Sequence, residues 1–229
     1  MLMKIPLTKY GLPQMAAYPA ALVVVMGAIA LFGHERLPGP LFWSIEIIAA
    51  IILVWIFSFF RDPARTIPQE ANILVSPADG TVSDVKIVEN DYIGPETLQI
   101  GIFLSVFNVH INRAPCDVRI EDIIYKKGLF KDARHPDAGR VNESNAVRMT
   151  AAAQPHQKMI VTQISGAIAR RIVCRTEKGD ELKRGQQFGM IKFGSRTELY
   201  LPASKNAKCL VKPGDKVKAG QTILVRYEQ

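Results

Sequence analysis

The chain has 229 residues, 48% of them apolar and only 22% charged, with 29 basic against 21 acidic side chains and a net charge of +8. That length allows one large or two modest domains, and the composition is too apolar for an ordinary soluble enzyme. Three cysteines without close pairing (Cys116, Cys174, Cys209) exclude a disulfide framework, and four scattered histidines offer no metal-ligand spacing.

The apolar excess sits at the front. Residues 15–33 (MAAYPAALVVVMGAIALFG) and 41–60 (LFWSIEIIAAIILVWIFSFF) are each about 20 residues, the length at which a helix crosses the hydrocarbon core of a bilayer. Pro19 falls in the first turn or two of its run, Glu46 near the start of the second, and Trp43 and Trp55 toward opposite ends as interfacial anchors. Residues 1–60 therefore read as a membrane anchor of two transmembrane helices. The seven-residue link HERLPGP makes the pair a hairpin with both flanks on one side.

Lys4 and Lys9 precede the hairpin and Arg61 and Arg65 follow it, whereas the link carries only Arg36 beside Glu35. That bias places both flanks, and residues 61–229, on the cytoplasmic side of the inner membrane. Taking three basic and two acidic residues of the anchor from the totals leaves 26 and 19, a net charge of +7 for residues 61–229. Anionic lipid attracts such a domain. No basic helix, finger spacing or aromatic-basic interleaving points to nucleic acid.

Residues 61–229 read as short β-branched runs divided by glycine turns, several with period-two alternation, which predicts a mostly antiparallel β domain. GDELKRGQ is the single helical candidate and is short. SPADGTVSDV and KPGDKVKAGQTILV each set a proline and an Asp/Gly turn before a valine-rich strand, and ISGAIARRI repeats the theme loosely. The pattern is similar to the biotinyl/lipoyl-like, hammerhead-barrel pseudo-repeat, although hairpin geometry alone also produces such turns. Within FGMIKFGSRTELYLP, Gly194-Ser195 taken alone is an ordinary turn signal.

Six stretches in order change that reading: FFRDPARTIP (59–68), SPADGTV (76–82), FLSVFNVHINRAP (103–115), ISGAIARRIV (164–173), GQQFGMIKFGSRTELYLP (185–202) and VKPGDKVKAGQTIL (211–224). Together with the hairpin they resemble the phosphatidylserine decarboxylases, specifically the short membrane-anchored proenzymes. The resemblance implies self-cleavage between Gly194 and Ser195, and conversion of Ser195 into a covalent pyruvoyl group that serves as cofactor. It implies decarboxylation of a serine phospholipid, with pieces 1–194 and 195–229 remaining associated; a homo-oligomer is left open.

The same resemblance supplies the site residues. Gly194 offers an open carbonyl, Ser195 attacks it, and His110 is the best candidate for the base and later the proton donor. Asp79 matches the family's aspartate and is expected to orient His110. Where longer members resemble Asp-Tyr-His-Arg-x-His-x-Pro, this chain has Asn108 in place of the acid and Arg113 in place of the second histidine. One imidazole is then left to serve both stages, or Arg113 stabilises the oxyanion while another group acts as base. Arg61 and Arg65 are expected near lipid phosphates. The alternatives are a decarboxylase of another serine phospholipid, such as an archaeal-type ether lipid, and a non-enzymatic membrane-tethered biotinyl/lipoyl-like module. A Ser-Lys peptidase fits less well, since Lys192 lies three residues before Ser195 on a strand-like run.

Overall fold

The structure, a computed structural model, describes residues 6–135, 137–153, 156–167, 171–192 and 194–228. It divides into two compact units, Met1–Ala64 and Arg65–Gln229.

In the first unit, α1 (Leu12–Gly33) and α2 (Gly39–Phe59) are both apolar all round, and most of their large side chains face outward: Val24 is 71% exposed, Leu31 79% and Val54 69%. Helices of this length and mean hydropathy that bury so little of themselves are suited to lipid. Helix α1 begins three residues earlier than the apolar run, which moves Pro19 past the first two turns, where it removes one intrahelical bond. The hairpin's two ends meet: Thr8 N–H donates to Phe60 O at 2.9 Å, and Leu7 bridges Arg61. Gly11 makes that closure feasible, because a Cβ there would lie 2.2 Å from the Phe60 ring.

The second unit is built from β1 (Ile73–Val75), β2 (Gly80–Asn90), β3 (Gly94–Leu104), β4 (Ile111–Arg113) and β5 (Val118–Lys126), followed by the single-turn α3 (Ala138–Val141). The chain continues through β6 (Ser144–Ala151), β7 (Lys158–Ile164), β8 (Arg171–Cys174), β9 (Glu181–Leu182) and β10 (Gln187–Lys192). It closes with β11 (Ser195–Pro202), β12 (Ala207–Cys209), β13 (Lys216–Val217) and β14 (Ile223–Tyr227). Among the described residues the strands form an eight-stranded sheet, β13-β2-β3-β11-β7-β6-β5-β9, and two three-stranded sheets, β1-β14-β12 and β4-β10-β8.

Alternation explains the core. Ile100, Ile102 and Leu104 of β3, Val147 and Met149 of β6, Met159 and Val161 of β7, and Leu199 and Leu201 of β11 are all fully buried two residues apart. Each contributes about 1.5–3 kcal/mol of burial. Strand β11 is interior, with eight residue pairs to β3 and five to β7. The mostly β architecture behind two apolar helices is as the sequence leads one to expect. GDELKRGQ, however, is no helix: Gly179 and Gly185 take φ of +95° and +75°, and only the two-residue β9 lies between them. The two look-alike turns meet each other, Lys216 opposite Thr81 and Val217 opposite Gly80.

Candidate active site

Ser195 is the first residue of β11, opposite Leu104. It is wholly buried, and its Oγ has no hydrogen-bond partner among the described residues. A buried hydroxyl left unsatisfied costs about 1–3 kcal/mol, so such an orphan calls for a role. Directly before it Gly194 takes φ +60°, the left-handed region that a side chain disfavours. Its carbonyl lies against Gly166, where an added Cβ would be 2.3 Å from Gly194 O. Glycine is therefore required on both sides of this contact.

His110 reaches the other side of Gly194, its N–H, from the segment before β4. It is 0% exposed, its Nε2 accepts the Gly194 N–H at 3.3 Å, and its Nδ1 lies 3.0 Å from the Asn108 carbonyl. A ring nitrogen that accepts an N–H carries a lone pair, and one facing a carbonyl carries the proton, so these contacts select the neutral Nδ1–H tautomer with Nε2 basic. The Asn108 side chain braces the turn, its Oδ1 accepting from Ser105 N and Ser105 Oγ at 2.8 Å each. Asn108 thus acts on the histidine through its backbone, a job that needs no acid.

The expected Asp79–His110 pairing is not what the structure holds. Asp79 accepts from Arg65 Nη2 at 3.0 and 2.9 Å and from Ala219 N–H at 2.8 Å; among the described residues no hydrogen bond or ion pair joins it to His110. The physical reason is that a guanidinium and an amide already occupy its lone pairs. Arg65 is corrected with it. Only 6% of its side chain is exposed, and it also donates to Gln221 Oε1 at 3.1 Å, so it is a buried strut and not a phosphate contact. Arg113 is buried in β4, and its Nη1 donates to Gly185 O at 2.9 Å.

Three features escaped the sequence reading. Gly166 carried a signal in the glycine of ISGA, but its partner is a carbonyl 28 residues away. Arg196, next to the candidate nucleophile, is 7% exposed and bonds Glu198 at 2.7 Å, Ser83 at 2.9 Å and Asp84 at 2.6 Å, fixing β11 to β2. Burial pushes the Asp84 carboxyl up, but the Ser83 hydroxyl and Arg196 outweigh it and hold the group below the ordinary carboxylate range. Asn112, Gln163 and Thr197, all wholly buried, bond in series at 2.9 and 3.0 Å. Lys192 is buried as well, and desolvation together with Arg171 and Arg175 lowers its pKa.

This domain, with a left-handed glycine before a buried serine and a basic imidazole nitrogen at one end of its sheet, has clear relatives. The chain belongs to the phosphatidylserine decarboxylase family, which it matches over residues 52–225. The phosphatidylserine decarboxylase proenzyme of Geobacter metallireducens is 40% identical over 219 residues, 96% of this chain and 95% of that one. That of Chlorobium limicola is 37% identical over 221 residues, 96% and 100% of the two chains, and that of Geotalea uraniireducens 45% over 182 residues, 78% and 84%.

Proposed function

We propose that this chain is a membrane-anchored phosphatidylserine decarboxylase proenzyme that cuts itself between Gly194 and Ser195 and decarboxylates phosphatidylserine to phosphatidylethanolamine and CO2. The observation that carries this reading is the buried, unpartnered Ser195 Oγ beside a left-handed Gly194 whose amide meets His110 Nε2.

The residues fit a pyruvoyl group derived from Ser195. A buried hydroxyl with no partner among the described residues is free to attack, and Gly166 leaves space at the carbonyl it attacks. Ser195 Oγ adds to the Gly194 carbonyl carbon while His110 Nε2 takes the hydroxyl proton; as the Gly194–Ser195 C–N bond breaks, His110 hands that proton to the departing nitrogen, leaving an ester, a free amine and a neutral imidazole. Loss of the Ser195 α-proton with cleavage of Cβ–Oγ releases the Gly194 carboxylate, and water replaces the nitrogen, which leaves as ammonia. Once formed, the pyruvoyl ketone supplies an electron sink for the electrons left behind by CO2. His110, once protonated again at Nε2 and still aligned by Asn108 O, is placed to deliver a proton to the substrate carbon. The Asp79–Arg65–Gln221 cluster holds the 195–229 piece to the rest, as do the two ladders of β11.

The anchor suits a substrate that does not leave the bilayer, each buried CH2 of its tails being worth about 0.8 kcal/mol. The basic flanks support a cytoplasmic orientation at the inner membrane. The purified full-length chain in phosphatidylserine bilayers is expected to release CO2 and form phosphatidylethanolamine, while Ser195→Ala does neither. Absence of release from fully cleaved protein would refute the assignment of substrate.

A further inference from the structure

Seven large apolar side chains of the second unit are exposed among its described residues, and five of them are Phe107, Ile124, Tyr125, Leu129 and Phe130. Such clustering on a β domain marks a contact surface. The segments that carry them border the candidate site. Val106 Cγ1 lies 3.6 Å from where a Gly194 Cβ would stand, and Ala133 Cβ lies 3.3 Å from the corresponding point on Gly166. The Arg134 guanidinium sits 5.8 Å from the Phe103 ring centre, linking the two segments.

The exposure is not that of a loose loop. Asn142 holds Lys131: its Oδ1 accepts Lys131 N–H at 3.0 Å and its Nδ2 donates to Lys131 O at 2.8 Å and Ser165 O at 2.9 Å, while Leu129 N–H donates to Val141 O at 2.8 Å and Leu129 O accepts from Glu143 N–H at 3.0 Å. Leu129, 55% exposed, is therefore held outward, and Phe107, 72% exposed, sits in the turn closed by Asn108 N–H on Ser105 O at 2.9 Å. Lys126, Lys127 and Lys131 alternate with these residues along the chain, all exposed, with no carboxylate ion-paired to them among the described residues, although Lys126 Nζ donates to the Arg140 carbonyl; Arg134 is matched by Asp132 at 2.6 Å.

We propose that residues 105–109 and 125–134 form an apolar rim with a lysine collar that seats the mouth of the site on an anionic bilayer surface. The apolar tips enter the headgroup boundary, and the three ammonium groups meet lipid phosphates. The inference rests on the reading of the substrate as a bilayer lipid, and names the surface that brings the site to it.

The test uses the full chain in lipid nanodiscs. Its only tryptophans are Trp43 and Trp55 of the anchor; with both replaced by Phe, Phe130→Trp reports the rim alone. Lipid brominated near the top of the acyl chain is expected to quench that emission at least twofold in discs containing phosphatidylglycerol, and less in discs of phosphatidylcholine alone. Water-like emission, equal in brominated and plain discs, would overturn the proposal. In parallel, Lys126→Glu/Lys127→Glu/Lys131→Glu should lower turnover of phosphatidylserine in discs about tenfold or more, while leaving turnover of a monomeric dibutyryl analogue unchanged. Equal rates on the disc substrate would likewise count against it. Should the unmodified chain turn over neither substrate, the enzymatic reading fails, and the quenching still decides the surface.

Discussion

Arg65 Nη2 lies 2.9 and 3.0 Å from the two carboxylate oxygens of Asp79, with both side chains nearly enclosed. This pair ties the segment after the two helices to the turn before β2, and through Ala219 and Gln221 to the chain beyond Gly194. Arg65→Ala leaves a buried carboxylate with only an amide for company and is expected to cost about 3–5 kcal/mol. Thermal unfolding should show a large fall in Tm. Arg65→Lys should recover part of it, because an ammonium keeps the charge but cannot span both Asp79 and Gln221.

Gly166→Ala tests the carbonyl's position. The new methyl would collide with Gly194 O at 2.3 Å, and backbone cannot step aside as a flexible side chain can. Self-cleavage is expected to slow about 10- to 100-fold, the scale set by displacing a reacting group by roughly an ångström. Time courses of precursor and product on denaturing gels give the rate. Normal cleavage would show that the carbonyl attacked is not held there.

His110→Ala should impair maturation and abolish turnover, since Nε2 is a basic nitrogen held against the Gly194 N–H, one peptide before the bond proposed to be cut. Asn108→Ala keeps the carbonyl that orients the ring but loses the Ser105 brace, and should slow both stages more mildly. Arg113→Ala should slow one stage without abolishing protonation. Assembling residues 1–194 carrying His110→Ala with an already pyruvoyl-ended 195–229 piece isolates decarboxylation; near-normal CO2 release would remove His110 as proton donor.

Cys116 offers a check on packing. Burial pushes its thiol up to about 12, so the thiolate is scarce at pH 8. Iodoacetamide should leave it unmodified in the folded chain and alkylate it fully after denaturation, which peptide mass mapping would reveal.

Local patterns were legible where one residue decides. The apolar runs give the hairpin because hydropathy and length suffice in lipid, and the strands follow from alternation. Gly194-Ser195 and His110 could be picked out because they lie in recognisable order with their neighbours. Asp79 was found as a residue but given the wrong partner: its competitor, Arg65, is separated by 14 residues and looked like one more basic flank of the anchor. Spacing says nothing about which of two candidates a carboxylate meets when turns bring distant segments together. Gly166 and Arg196 were opaque for the same reason, as their significance lies in contacts with Gly194 and Asp84 that only the folded sheet creates.

The central claim is chemical, and intact-mass measurement of the purified full-length chain reaches it directly. The account predicts two species, one ending at Gly194 and one of residues 195–229 whose N-terminus resists Edman chemistry and whose mass is that of a pyruvoyl in place of serine; Ser195→Ala yields only the uncut chain. A single full-length mass from protein kept in a lipid bilayer, or a 195–229 piece that begins with an ordinary serine, would contradict it.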